Sequence, residues 1–151
     1  MSQSQPTPME RALVEAEAAA TRGEVPVGAV ITNADGHIIA ASGNRMRECF
    51  DPTAHAEIVV IREAARTLGA IRLVDCDLHV TLEPCPMCAA AISFARLRRL
   101  YYGAGDPKGG AVDHGPRLFA ARSCHHAPEV YGGINERRAA DLLKDFFRER
   151  R

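Results

Sequence analysis

The chain has 151 residues, 46% of them apolar and 25% charged, with 19 basic side chains balancing 19 acidic ones. That length fits one domain able to bury roughly two-thirds of its unfolded surface, and the composition excludes a disordered or collagen-like chain. A net charge of zero excludes a reading as a polybasic nucleic-acid or membrane-surface protein from charge alone, so any basic footprint must be local.

The first ten residues are rich in Ser, Gln, Pro and Thr, with no basic start or apolar core, so they do not read as a secretory signal. No apolar run approaches the roughly 20 residues that a membrane-spanning helix needs. A soluble, cytoplasmic protein with no membrane partner is expected. After Pro8 a helix is predicted from about Met9 to Ala20, with Leu13, Ala16, Glu17 and Ala20 at helical spacing. Val27–Ile31 reads as a strand, Asn33–Gly36 as a turn and His37–Ala41 as the returning strand of a hairpin, followed by a loop from Ser42 to Thr53. The pattern then alternates: helix Ala54–Arg66, strand Asp77–Leu82, helix Cys85–Phe94 and strand Arg98–Gly103. Such alternation argues for crossover units on a mainly parallel stretch of sheet. Ala104–Pro116 is a Gly- and Pro-rich loop, Leu118–Arg122 a short helix and Glu129–Tyr131 an edge strand. The last element is an amphipathic helix from Asn135, with Ala139, Leu142, Leu143, Phe146 and Phe147 on its apolar side. Together they predict a single domain over 1–151, of class α/β, with three α/β/α layers around about five strands.

Two short segments carry the chemistry. Pro52-Thr-Ala-His-Ala-Glu57 opens one predicted helix, with Asp51 or Thr53 as its cap, and Pro84-Cys-Pro-Met-Cys88 opens another directly after an apolar strand. In an α/β sheet, helices that follow strands start at the carboxyl ends of those strands, where ligands bind, so both motifs point at one crevice. Five cysteines is an odd number, and in a reducing compartment a Cys-x-x-Cys favours metal or redox chemistry over a disulfide framework. Catalytic zinc takes three nitrogen or sulfur ligands and keeps a fourth position for water, and His55, Cys85 and Cys88 supply that set. Two thiolates cancel the charge of Zn2+, which makes a positioned base matter more, and Glu57 is that base. His55 and Glu57 stand about 200° apart on a regular helix, so they share a site only if it lies off the helix end. A His-x-Glu followed some thirty positions later by Pro-Cys-x-x-Cys is the signature of zinc-dependent deaminases.

Beyond these motifs the sequence resembles the bacterial tRNA-specific adenosine deaminases, the TadA family. The likeness runs through Glu24-Val-Pro-Val-Gly-Ala-Val30, Asp51 to Glu57, Thr81-Leu-Glu-Pro-Cys-Pro-Met-Cys88, Tyr102-Gly-Ala-Gly-Asp-Pro-Lys108 and Asp145-Phe-Phe-Arg148. The resemblance implies a cytidine-deaminase-like domain with a mixed sheet, one Zn2+ per chain, a homodimer, and conversion of adenosine to inosine at the wobble position of a tRNA anticodon stem-loop. It also implies that Glu57 protonates the ring nitrogen N1 and delivers a proton to the departing ammonia. By position, it places Asn44 against the target nucleoside, Asp106 and Lys108 in a loop bordering the RNA, and Phe147 and Arg148 on a helix flanking the anticodon loop.

Two other functions fit parts of the pattern. A free-base or nucleotide deaminase acting on guanine, cytosine or a pyrimidine nucleotide would use the same zinc site behind a closed pocket. A non-catalytic, zinc-stabilised RNA-binding module would have no use for Glu57 beside its metal. Cys124-His125-His126 matches no standard metal-ligand spacing, His79 reads as a core histidine, and Cys49 and Cys76 read as plain thiols.

Overall fold

The structure is a computed structural model and describes residues 5–150. The first helix, α1 (Pro8–Thr21), is fixed at its start by a reciprocal pair: the Thr7 hydroxyl accepts from the Glu10 N–H at 3.1 Å while the Glu10 carboxylate accepts from the Thr7 N–H at 3.0 Å. Strands β1 (Gly28–Thr32) and β2 (Ile38–Gly43) form a hairpin whose turn is held by Asn33, its side-chain oxygen accepting from the N–H groups of Asp35 and His37. Next come α2 (Met46–Cys49), α3 (Ala56–Leu68), β3 (Asp77–Leu82), α4 (Pro86–Ala95) and β4 (Arg99–Ala104), then a single 3₁₀ turn at Leu118–Ala120, β5 (Glu129–Tyr131) and α5 (Glu136–Glu149).

The five strands lie in the order β2-β1-β3-β4-β5. Pairing is parallel from β3 to β5, but β1 is antiparallel to both β2 and β3, so the expected parallel character covers only one half of the sheet. The reason is topological. The crossover through α3 does join strands of like direction, β2 and β3, but β3 docks on the far side of β1, leaving β1 between two strands that oppose it.

Alternation along the strands divides the core. Ala29, Ile31, Leu78, Val80, Leu100 and Tyr102 pack under α3 and α4, whose buried residues include Ala56, Val60, Ala64, Ile92 and Ala95. Val30 and Ala104 face α1 and α5, meeting Met9, Ala12, Leu13 and Ala139. Gly28 marks the closest approach of α1: a Cβ there would lie 1.9 Å from the Ala12 carbonyl oxygen.

Several sequence expectations are refined. The third helix starts at Ala56 rather than Ala54, and the predicted 42–53 loop contains both the end of β2 and the extra turn α2. The expected Leu118–Arg122 helix is only the 3₁₀ turn. On α5, Phe146 is buried but Phe147 is 49% exposed, so the two phenylalanines divide between core and surface. No helix among the described residues is long and apolar enough to cross a membrane.

Candidate metal centre and its pocket

Two helix starts and two strand ends meet at one end of the sheet. Because β1 opposes β3, the beginning of β1 lies beside the end of β3, and the Gly28 N–H donates to the Thr81 hydroxyl there at 3.1 Å. Over this end open the N-termini of α3 and α4. His55 is the residue before the first turn of α3, with extended backbone (φ −65°, ψ 153°), and Cys85 holds the same place on α4 (φ −73°, ψ 173°) with Pro86 following. The His55–Glu57 spacing is thereby reconciled with a shared site: His55 is not yet on the helix, so its side chain is free of the helical 100° step, while Glu57 projects from the first turn.

His55, Cys85 and Cys88 converge, their ligand atoms all within 4.8 Å of one another. His55 Nδ1 lies 3.7 Å from Cys85 Sγ and 3.6 Å from Cys88 Sγ. Zinc bonds of about 2.3 Å to sulfur and about 2.05 Å to nitrogen at a tetrahedral angle separate such atoms by roughly 3.6 Å. The residues therefore fit one zinc per chain. Without metal, the hydrogen bond with Cys88 and the bond to His55 hold the Cys85 thiol down to about 4 against its burial. Cys88 is pushed far above the ordinary thiol range as the donor to Cys85 and by burial, and His55 is raised by its bond to Cys85. The set therefore retains protons that a bound cation must displace, the behaviour of a thiolate–imidazole metal site. Glu57 is buried beside it, and burial pushes its carboxyl up to about 7.

The pocket over this centre is walled by Val25, Val27, Asn44, Met46, Leu82, Glu83, Asp106 and Gly109 as well as His55, Glu57 and Cys85. Asn44 is also a structural bridge: its amide NH₂ donates to the Val25 carbonyl at 3.1 Å and its oxygen accepts from the Ala56 N–H at 2.8 Å. One N–H and one lone pair remain for another partner. Asn44 thus caps α3 in place of the expected Asp51 or Thr53. Asp51 instead accepts from the Thr53 N–H and hydroxyl, shaping the turn before the helix. Lys108 is exposed on the turn between Asp106 and Gly109. Phe147 and Arg148 do not reach this pocket; with Leu143 and Lys144 they border a separate hollow on α5.

Two buried carboxylates escaped the sequence reading. Glu24 accepts from the N–H groups of Arg47 and Glu48, each at 3.1 Å, and so pins α2 and its pocket residue Met46. Glu83 accepts from four N–H groups of the loop after β4 and touches the His114 ring. The only sequence signal was an acidic residue abutting an apolar strand, which the adjacent cysteines overshadowed. Cys124 and His126 are engaged elsewhere: Cys124 bonds the His126 carbonyl, and the His126 ring bonds the Leu97 carbonyl. Among the described residues they join no metal-ligating cluster.

The family described as the cytidine and deoxycytidylate deaminase zinc-binding region matches residues 2–104. A tRNA-specific adenosine deaminase of Agrobacterium fabrum is 64% identical over 143 residues, covering 95% of this chain and 93% of the relative. One of Rickettsia bellii is 48% identical, covering 93% and 98%. A solved structure from a study of A-to-I editing by tRNA:A34 deaminases superposes with a TM-score of 0.89 at 63% identity, over 90% of this chain and 98% of the other. The chain belongs to the zinc-binding cytidine and deoxycytidylate deaminases, in the branch of the tRNA-specific adenosine deaminases.

Proposed function

We propose that this protein hydrolyses adenosine to inosine at the wobble position of a tRNA anticodon, releasing ammonia. The observation that carries the chemistry is the tetrahedral spacing of His55, Cys85 and Cys88 with buried Glu57 beside them. The substrate assignment is supported by the likeness to tRNA-specific adenosine deaminases. His55, Cys85 and Cys88 would hold the zinc, which when bound supplies Lewis acidity and activates a water. Glu57 would take one proton as the water oxygen bonds to C6 and place it on the adenine ring nitrogen N1, then take the second proton from that oxygen and deliver it to the amino group as the C6–N bond breaks and ammonia leaves. Its raised proton affinity suits both directions of transfer. Asn44 lines this pocket, and its unengaged N–H and lone pair would meet the nucleoside that enters it.

In this reading Asp106 and Lys108 border the anticodon loop at the pocket mouth. Phe147 and Arg148 meet RNA farther out on α5, beyond the pocket itself. A homodimer is supported by the apolar strip across the ends of α3 and α4, where Ile71 is 89% and Phe94 81% exposed around one hollow with Leu118. A tRNA substrate supports a cytoplasmic site of work. The deciding experiment offers the zinc-loaded protein an anticodon stem-loop, free adenosine, guanine and cytosine in parallel and measures ammonia. Turnover of the stem-loop alone is expected, and turnover of free guanine or cytosine with none of the RNA would overturn the assignment.

A further inference from the structure

The side chain of Glu83 has no exposed surface, although it stands at the rim of an open pocket. An ionised carboxylate is tolerated there only because donors surround it. One oxygen accepts from the Asp106 N–H at 3.0 Å and lies 2.6 Å from His114 Nδ1. The other accepts from three successive N–H groups, those of Val112 at 3.1 Å, Asp113 at 2.9 Å and His114 at 3.1 Å. The loop from Gly105 to His114 is therefore wrapped around this one side chain. It passes so close that a Cβ at position 110 would stand 2.5 Å from the Glu83 carboxylate. A second tie binds the loop to the metal-bearing segment, where the Ala111 N–H donates to the Pro84 carbonyl at 2.9 Å.

Five donors on two oxygens leave Glu83 no free lone pair with which to touch substrate or carry a proton. What it controls is the loop, and that loop presents Asp106, Lys108 and Gly109 at the pocket mouth. We infer that Glu83 is a positioning residue for substrate recognition: it holds the Gly105–His114 loop as a preformed lip, so that Asp106 and Lys108 meet the nucleotides beside the target adenosine. The inference rests on the tRNA reading and gives it a physical basis, because a lip ordered before encounter spares the RNA the entropy of ordering it. Losing the anchor weakens capture of the RNA before it slows the chemistry.

The test compares Glu83→Gln and His114→Ala with the wild type, all zinc-loaded, in steady-state turnover of an anticodon stem-loop. Zinc content and the rate of tryptic cleavage after Lys108 are measured alongside. Glu83→Gln should raise KM about ten-fold or more while kcat falls less than about three-fold, because preorganisation governs binding. Zinc should stay at one per chain, and cleavage after Lys108 should accelerate. His114→Ala alters a side chain that is 38% exposed and removes only the ring's bond, leaving the four backbone donors in place. It should therefore fold and raise KM only about two- to three-fold. Should Glu83→Gln fail to fold, His114→Ala decides alone: wild-type KM and cleavage rate there overturn the inference. So does a Glu83→Gln enzyme that loses zinc and kcat with KM unchanged, since Glu83 would then serve the metal segment. Failure of the tRNA reading would instead show in the wild type, as a stem-loop left untouched.

Discussion

Replacing Asn44 with alanine removes one buried and one part-buried hydrogen bond. The Ala56 N–H at the first position of α3 would lose its acceptor at 2.8 Å, while the Val25 carbonyl would lose one donor at 3.1 Å and keep the Val27 N–H. Stranding a buried donor costs about 1–3 kcal/mol and losing an ordinary bond about 0.5–1.5 kcal/mol, so the sum is about 1.5–4.5 kcal/mol. For a chain of this size each kcal/mol moves Tm by about 2–4 °C, which sets the expected fall at about 3–18 °C. Thermal unfolding of zinc-loaded wild type and variant, followed by circular dichroism, measures it directly. A shift below about 2 °C would refute the reasoning, because it would mean that another group caps α3 once Asn44 is gone. Since Ala56 follows His55 directly, the variant should also bind zinc less tightly.

Glu57→Gln should keep zinc and fold yet lose about 10²–10⁴ in kcat, measured as ammonia release, since the amide cannot relay protons. Cys88→Ala, or a strong chelator on the wild type, should remove the metal and lower Tm in step with the binding free energy lost, a few kcal/mol at about a thousand-fold excess over Kd. His79, bonded to Thr32 and stacked on Tyr101, has its pKa pushed down to about 4 by burial. As pH falls from about 6.5 toward 4 the unfolded chain gains a proton that the folded chain refuses, so about 3 kcal/mol of stability present above pH 6.5 is lost; His79→Gln should flatten that part of the Tm–pH curve. Replacing Lys108 and Arg148 with glutamine should weaken stem-loop binding and reduce the salt slope by about 0.7 for each phosphate no longer neutralised, read by fluorescence anisotropy.

The metal set was legible because its information is local: a His-x-Glu and a Cys-x-x-Cys each sit on a helix start, and the strand pattern brings those starts together. Even the awkward 200° between His55 and Glu57 carried information, since it required the site to lie off the helix end; the structure meets this by setting His55 before α3, although the helix predicted from Ala54 includes it. Asn44 as the cap of α3 was hidden because its partner lies twelve residues away across a loop, whereas capping is read from immediate neighbours. Glu24 and Glu83 were illegible for a related reason. A buried anion held by backbone N–H groups leaves little in the sequence to find: Glu24 meets only backbone, and the one side-chain partner of Glu83, His114, lies 31 residues away. The division between Phe146 and Phe147 depended on where α5 rests against β4, a tertiary fact that helical periodicity narrows to neighbouring positions without choosing.

In the proposed reading, the order of elements along the chain separates the reactive groups and the pocket wall around Asn44 from the outer RNA-facing segments. His55, Glu57, Cys85 and Cys88 all precede Ala104, where β4 ends, while the Gly105–His114 lip and α5 come after it. The carboxylate of Glu83 reaches forward from the first stretch to moor the lip, with the Pro84 carbonyl as a second tie. Descent could therefore rewrite which molecule is admitted by drift in the downstream third while the reactive groups stay untouched. Anyone redirecting this scaffold toward a new substrate has a natural library in positions 106–109 and the exposed face of α5, with Glu83 and Gly110 kept as the fixed points around which that variation can be tolerated.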